Sequence, residues 1–166
     1  GSVITACGGV AADDAVDFAY GVASGDPLSD RVILWTHAKY TGKNTNVALT
    51  YEVATDNIFS ATSVVASGFV IATASTNFTA KVDATGLQAG KTYYYRFKAG
   101  STVSPVGKTR TLPDSTATEV NLAVFSCANY PEGFFHVYGL ASKSNAQYAL
   151  HLGDYLYEYP DGTYPT

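Results

Sequence analysis

The stretch Leu87-Gln88-Ala89-Gly90-Lys91-Thr92-Tyr93-Tyr94-Tyr95-Arg96-Phe97-Lys98 carries an alternation of period two that no helix produces. Tyr93, Tyr95 and Phe97 share one face while Tyr94, Arg96 and Lys98 share the other, as a half-buried antiparallel strand requires. The Gly90 that precedes it marks a tight corner leading into that strand.

Working outward, the chain from Asp17 to Leu112 is a series of short strand-like runs between turn signals. Phe18 to Ser24 leads into the turn Gly25-Asp26-Pro27 and then Arg31 to Thr36. Val47 to Val53 alternates, Ser63 to Thr73 is a strand broken at Gly68, and Phe78 to Asp83 alternates again. A leucine, a glycine three residues later and a tyrosine six later resemble the E-to-F corner of fibronectin type III domains, in which the tyrosine hydroxyl bonds to upstream backbone. That tyrosine is Tyr93. Residues 17–113 are therefore expected to form a fibronectin type III-like β-sandwich, with Trp35 in its core and His37 on its surface.

Residues 114–118 read as a polar linker, after which the pattern changes. Asn121 to Phe125 is a continuous apolar run, expected of a strand buried on both faces. Pro131 to Asn145 has helical spacing, and Tyr148 to Leu152 is a second apolar run ended by Gly153-Asp154. Strand, helix, strand makes a βαβ unit with a parallel pair, and chemistry collects at the carboxyl ends of such strands. Those ends are Ser126-Cys127 and Gly153-Asp154, with Tyr157 within reach in the following loop. A thiolate, a carboxylate and a phenolate suit a highly charged metal such as ferric iron better than Mg2+, which avoids sulfur. A bridging carboxylate can hold a second ion beside the first. The competing reading makes Cys127 a small buried hydrophobe and Gly-Asp-Tyr a turn.

Ten Lys and Arg against fourteen Asp and Glu give a net charge of -4, which opposes nucleic-acid binding. No apolar run is long enough for a transmembrane helix. The 166 residues contain no methionine, as expected of a chain processed or cut from something longer. Ile4-Thr5-Ala6-Cys7 resembles the lipobox of bacterial lipoproteins, which would lipidate Cys7, hold the protein on a membrane of the cell envelope and leave Cys127 free. The alternatives are a flexible exported N-terminus over residues 1–16, or a disulfide between Cys7 and Cys127.

Four segments together make the sequence similar to the PhoD-type alkaline phosphatases, phosphodiesterases and phosphomonoesterases of the calcineurin-like metallophosphoesterase superfamily. They are Tyr20 to Leu28 with Ile33 to Thr36, the Leu87 to Phe97 corner, Phe125-Ser126-Cys127, and His151-Leu152-Gly153-Asp154-Tyr155-Leu156-Tyr157-Glu158-Tyr159. The resemblance implies that residues 119–166 begin an α/β metallophosphoesterase domain, left incomplete at Thr166. It implies that Cys127 and Tyr157 ligate ferric iron, that Asp154 bridges iron to calcium, and that a metal-activated water attacks a phosphate ester. It also implies a secreted, periplasmic or envelope-bound protein, expected to be a monomer. Two departures stand out: family members commonly leave by a twin-arginine signal, and they often carry arginine where this chain has His37. The family's later metal ligands lie on strands beyond the second, so the 166-residue chain alone is expected to be inactive. Purple acid phosphatases share Gly-Asp-x-x-Tyr but carry aspartate where this chain has Ser126-Cys127. A stand-alone sandwich module for binding or spacing is the reading from a different class.

Overall fold

Twelve strands and one short α-helix make up residues 16–159, which are those that the structure, a computed structural model, describes. The lipobox-like segment and Cys7 lie outside the described residues. The chain divides between Thr116 and Ala117 into two compact units.

In the first unit, β1 (Val16–Asp17), β2 (Val22–Gly25), β3 (Arg31–His37) and β4 (Lys39–Tyr40) are followed by β5 (Asn46–Ala54) and β6 (Val64–Thr73). Then come β7 (Thr79–Thr85), β8 (Thr92–Ala99), β9 (Thr102–Val103) and β10 (Gly107–Arg110). The two larger antiparallel sheets have the orders β2-β3-β7 and β10-β8-β5-β6, the latter with β9 also on β8, and β1 pairs with β4 in a small two-stranded sheet. One apolar core joins them, with Val32 and Leu34 of β3 and Ala80 and Ala84 of β7 packed in the same cluster as Leu49, Val53, Tyr95 and Phe97. This is the sandwich expected from the alternating strands.

The opening stretch shows why the alternation was decisive. Tyr93, Tyr95 and Phe97 are buried, while across the outer face Glu52 of β5 accepts from Arg96 at 2.7 Å and from Lys98 at 2.8 Å. The Tyr93 hydroxyl accepts the Gln88 backbone N–H at 2.9 Å, and Thr111 clamps the same corner by donating to the Gln88 carbonyl at 2.6 Å. Tyr95 reaches across to Ser24 of the facing sheet, and burial pushes its phenol up to about 12.

Several expectations need correction. Trp35 is half-buried and outside the core: Val32, Leu34 and Thr36 point inward, so parity turns Trp35 to the outer face between its partners Ala23 and Lys81. His37 is buried rather than superficial, with its ring 5.0 Å from that of Tyr20. Phe18 to Ser24 is interrupted by a turn at Gly21, whose φ is 69°. Gly68 does not break β6. It makes room for the Tyr51 ring, which a Cβ at position 68 would meet at 2.8 Å.

In the second unit, β11 (Leu122–Phe125) and β12 (Tyr148–His151) pair in parallel, Leu122 opposite Tyr148 and Phe125 opposite His151. The expected helix over Pro131 to Asn145 shrinks to α1 (His136–Ala141) after a single 3-10 turn at Tyr130–Glu132. Phe135 takes a left-handed φ of 56°, which stops the helix from extending backwards, and Ser142 and Ser144 turn their hydroxyls onto the Gly139 and Ala141 carbonyls at its end. The expectation that β11 is buried on both faces also fails. Phe125 meets Tyr138 of α1 at 5.0 Å between ring centroids, whereas Leu122 and Val124 on the opposite face are 53% and 55% exposed. One six-residue helix covers only one face of the pair.

Two outcomes test the sandwich. Tyr93→Phe leaves the Gln88 N–H without its acceptor and is expected to cost about 1 kcal/mol, read as a lower urea midpoint with an unchanged slope; an unchanged midpoint would show that the corner bond adds nothing. Because the folded value of Tyr95 lies above the unfolded value of about 10, its contribution to stability is complete below pH 10 and lost as the pH rises through about 12. Urea titrations across that window should decline, and the decline should be shallower in Tyr95→Phe.

Candidate metal centre

Parallel pairing does not end with the two strands. The Leu152 N–H donates to the Phe125 carbonyl at 2.9 Å and the Cys127 N–H to the Asp154 carbonyl at 3.0 Å. Further on, the Tyr157 N–H donates to the Ala128 carbonyl at 2.6 Å and the Tyr130 N–H to the Tyr157 carbonyl at 2.8 Å. Asn129 sits opposite Tyr157 in this extension, and its Oδ1 accepts the Tyr159 N–H at 3.4 Å. Four backbone bonds thus fix the loops after the strands as a continuation of the ladder.

This continuation brings Cys127, Asp154 and Tyr157 together. The Cys127 thiol donates to Asp154 Oδ2 at 3.7 Å. The Tyr157 phenol is hydrogen-bonded to Asp154 and to Cys127, and its proton is held well above the usual phenol range. The carboxylate of Asp154 as acceptor is the largest cause, followed by partial desolvation and by the thiol. Both strand ends turn through the left-handed region to achieve this, Cys127 at φ 57° and Asp154 at φ 48°, next to Gly153 at 115°. Such angles are uncommon for a residue with a Cβ and are held only where the surrounding structure imposes them.

Cys127 and Asp154 are exposed and Tyr157 is partly buried. An open cavity of about 470 Å³ adjoins the thiol, lined among others by Phe125, Ser126, Asn129, Glu132 and Tyr138. Among the described residues no three His, Cys, Asp or Glu side chains gather in one place, and the third acidic group beside Cys127 and Asp154 is the Tyr157 phenol. Three acidic groups in hydrogen-bond contact are held by the protons between them. A cation can replace those protons, and the thiolate, carboxylate and phenolate so produced are a fitting donor set for ferric iron. Tyr93 and Trp35 belong to the other unit.

Two residues at this site carry no role in the reading of the sequence, although His151 opens the quoted signature. His151, the last residue of β12, accepts the Gly153 N–H on Nδ1 at 3.3 Å and lies with its ring 4.9 Å from that of Tyr155. Asn129 supplies the acceptor described above. The sequence signal for His151 was its place beside Gly153-Asp154 at the end of an apolar run.

A β-sandwich followed by a parallel βαβ unit, with a thiol, a carboxylate and a phenol gathered after the carboxyl ends of its strands, is a two-part, mainly β architecture. The chain belongs to the PhoD-like phosphatase family. The model of the PhoD-like phosphatase N-terminal domain matches residues 4–113, and the PhoD-like phosphatase model matches residues 122–166. The chain is 41% identical to alkaline phosphatase D of Bacillus subtilis (strain 168) over 155 residues, which is 89% of this chain and 26% of that protein. A solved structure described as the structure of PhoD superposes with a TM-score of 0.80 at 41% identity, covering 88% of this chain and 29% of that one. The chain thus spans about a quarter of the length of the relative it matches.

The site yields one measurable consequence. Replacing the carboxylate in Asp154→Asn removes the main group holding the Tyr157 proton, so the phenol should titrate at lower pH. Tyrosine-ring 13C NMR across alkaline pH would follow it; an unmoved Tyr157 resonance midpoint would detach the phenol from Asp154.

Proposed function

We infer that this chain is the N-terminal part of an exported, metal-dependent phosphatase or phosphodiesterase. The observation that carries the reading is the convergence of the Cys127 thiol, the Asp154 carboxylate and the Tyr157 phenol at the ends of two parallel strands. Family membership and the 41% identity to alkaline phosphatase D support it. Cys127 and Tyr157 would hold ferric iron, and Asp154, with two carboxylate oxygens, would bridge to calcium. When bound, such ions lower the pKa of water from 15.7 towards about 7 and neutralise phosphoryl oxygens.

The chain's own residues do the positioning. The extended ladder holds the backbone of Cys127, Asp154 and Tyr157 in one register, and the left-handed turns aim two of the three side chains. Asp154 accepts protons from both acidic partners, so loss of those protons leaves three anionic donors facing one point. Lipidation of Cys7 would place the enzyme on a membrane of the cell envelope, and domain limits at residues 17–113 and 119–166 would separate a spacer sandwich from the catalytic part. The 166 residues alone are proposed to be inactive, because three donors do not complete a site for two metals.

The test is hydrolysis of bis(p-nitrophenyl) phosphate with ferric iron and calcium present. The 166-residue chain should show none, whereas the same chain joined to the remainder of the Bacillus subtilis relative should turn over. Asp154→Asn in that chimera should lower kcat/KM by about 100-fold or more. Full activity in the Asn variant would remove Asp154 from the site.

A further inference from the structure

His151 is not one of the three donors, yet its imidazole is bonded to the turn that aims one of them. We propose that His151 is a positioning residue for Asp154: its Nδ1 anchors the Gly153 amide, and this bond sets the left-handed turn that presents the Asp154 carboxylate to Cys127 and Tyr157. The proposal rests on the ligand reading given above.

Three observations support it. The Gly153 N–H donates to His151 Nδ1 at 3.3 Å, two residues along the chain, closing a small ring across Leu152. Gly153 and Asp154 then both take positive φ, 115° and 48°; glycine does so freely, whereas the Cβ of Asp154 opposes it, so the residue that follows the bonded amide is the strained one. A ring nitrogen that accepts carries no proton, so the ring proton sits on Nε2. That Nε2 is buried without a partner among the described residues, while the ring itself lies against Tyr155. An apolar side chain would fill the same space without burying an unmatched donor, and buried polar atoms are rarely left unmatched. What the imidazole supplies that an apolar group does not is the acceptor at Nδ1.

Chemistry separates this role from packing. Asparagine places an acceptor oxygen near the position of Nδ1, whereas glutamine places its polar group near Nε2 and leucine supplies none. His151→Asn should therefore retain the turn, and His151→Gln and His151→Leu should lose it. The metal-free readout is amide hydrogen exchange of the 166-residue chain. Gly153 should exchange about tenfold faster in the Gln and Leu variants, and Cys127, whose N–H is bonded to the Asp154 carbonyl, should follow. In the Asn variant both should stay near the wild-type rates.

A second readout is the titration of the same chain with ferric nitrilotriacetate, followed by the tyrosinate-to-iron charge-transfer absorbance, with Tyr157→Phe as the control that must lack the band. Apparent affinity should fall about 10- to 100-fold in His151→Gln and be restored in His151→Asn. Equal amide exchange in the Asn and Gln variants overturns the proposal, even if the Leu variant does not fold. A wild-type chain that gives no band, while the amides respond as expected, overturns the iron reading and leaves the anchoring of Asp154 standing.

Discussion

The parallel register of β11 and β12 is the constraint on which the site depends. Because side chains alternate along a strand, a slip of one residue would turn the side chains of β12 over relative to those of β11 and break the ladder that continues past both strands. With Phe125 opposite His151, the ladder continues through the Cys127 to Asp154 bond and carries Tyr157 to its place beside Ala128 and Asn129. The backbone of all three residues is fixed by hydrogen bonds, which have direction and length that apolar packing lacks.

The two units use different means to hold their strands. The sandwich is closed by a core from both sheets, and its large tyrosines are accommodated by glycine on the neighbouring strand: Tyr51 over Gly68 and Tyr95 over Gly107. In each pair the ring occupies the space that a Cβ on the paired residue would need, which accounts for two glycines within strands, where the residue otherwise weakens the sheet. The βαβ unit has one packed face, where Phe125 meets Tyr138, and it exposes Leu122 and Val124 on the other. Its order among the described residues comes from the ladder more than from burial.

What could be read from the sequence follows the same division. The Tyr93-Tyr95-Phe97 alternation specified an inward face correctly because every second residue was large and apolar. Trp35 failed because Ile33-Leu34-Trp35 is apolar at each position, so parity could be settled only by the neighbouring strands. The helix was overestimated because spacing of Phe134, Val137, Tyr138 and Ala141 is helical while the backbone at Phe135 is not. That Cys127 and Asp154 meet was legible because side chains after the carboxyl ends of adjacent parallel strands converge on one crevice. His151 and Asn129 were not, since each acts through a bond to a backbone N–H whose position depends on turns that composition does not encode.

The left-handed backbone at Cys127 has a consequence for how this protein can be improved. Glycine adopts that conformation without a Cβ penalty and asparagine tolerates it, so chain stability alone favours replacing the cysteine. Selection for expression, solubility or heat resistance, with no demand on chemistry, would push position 127 towards glycine. The thiol would be traded away for a more relaxed strand end. Stability and the proposed metal binding are thus opposed at a single atom pair, the Cβ and Sγ of one residue, and a thermostable descendant obtained by folding screens would be a well-behaved scaffold without the thiol that the proposal needs.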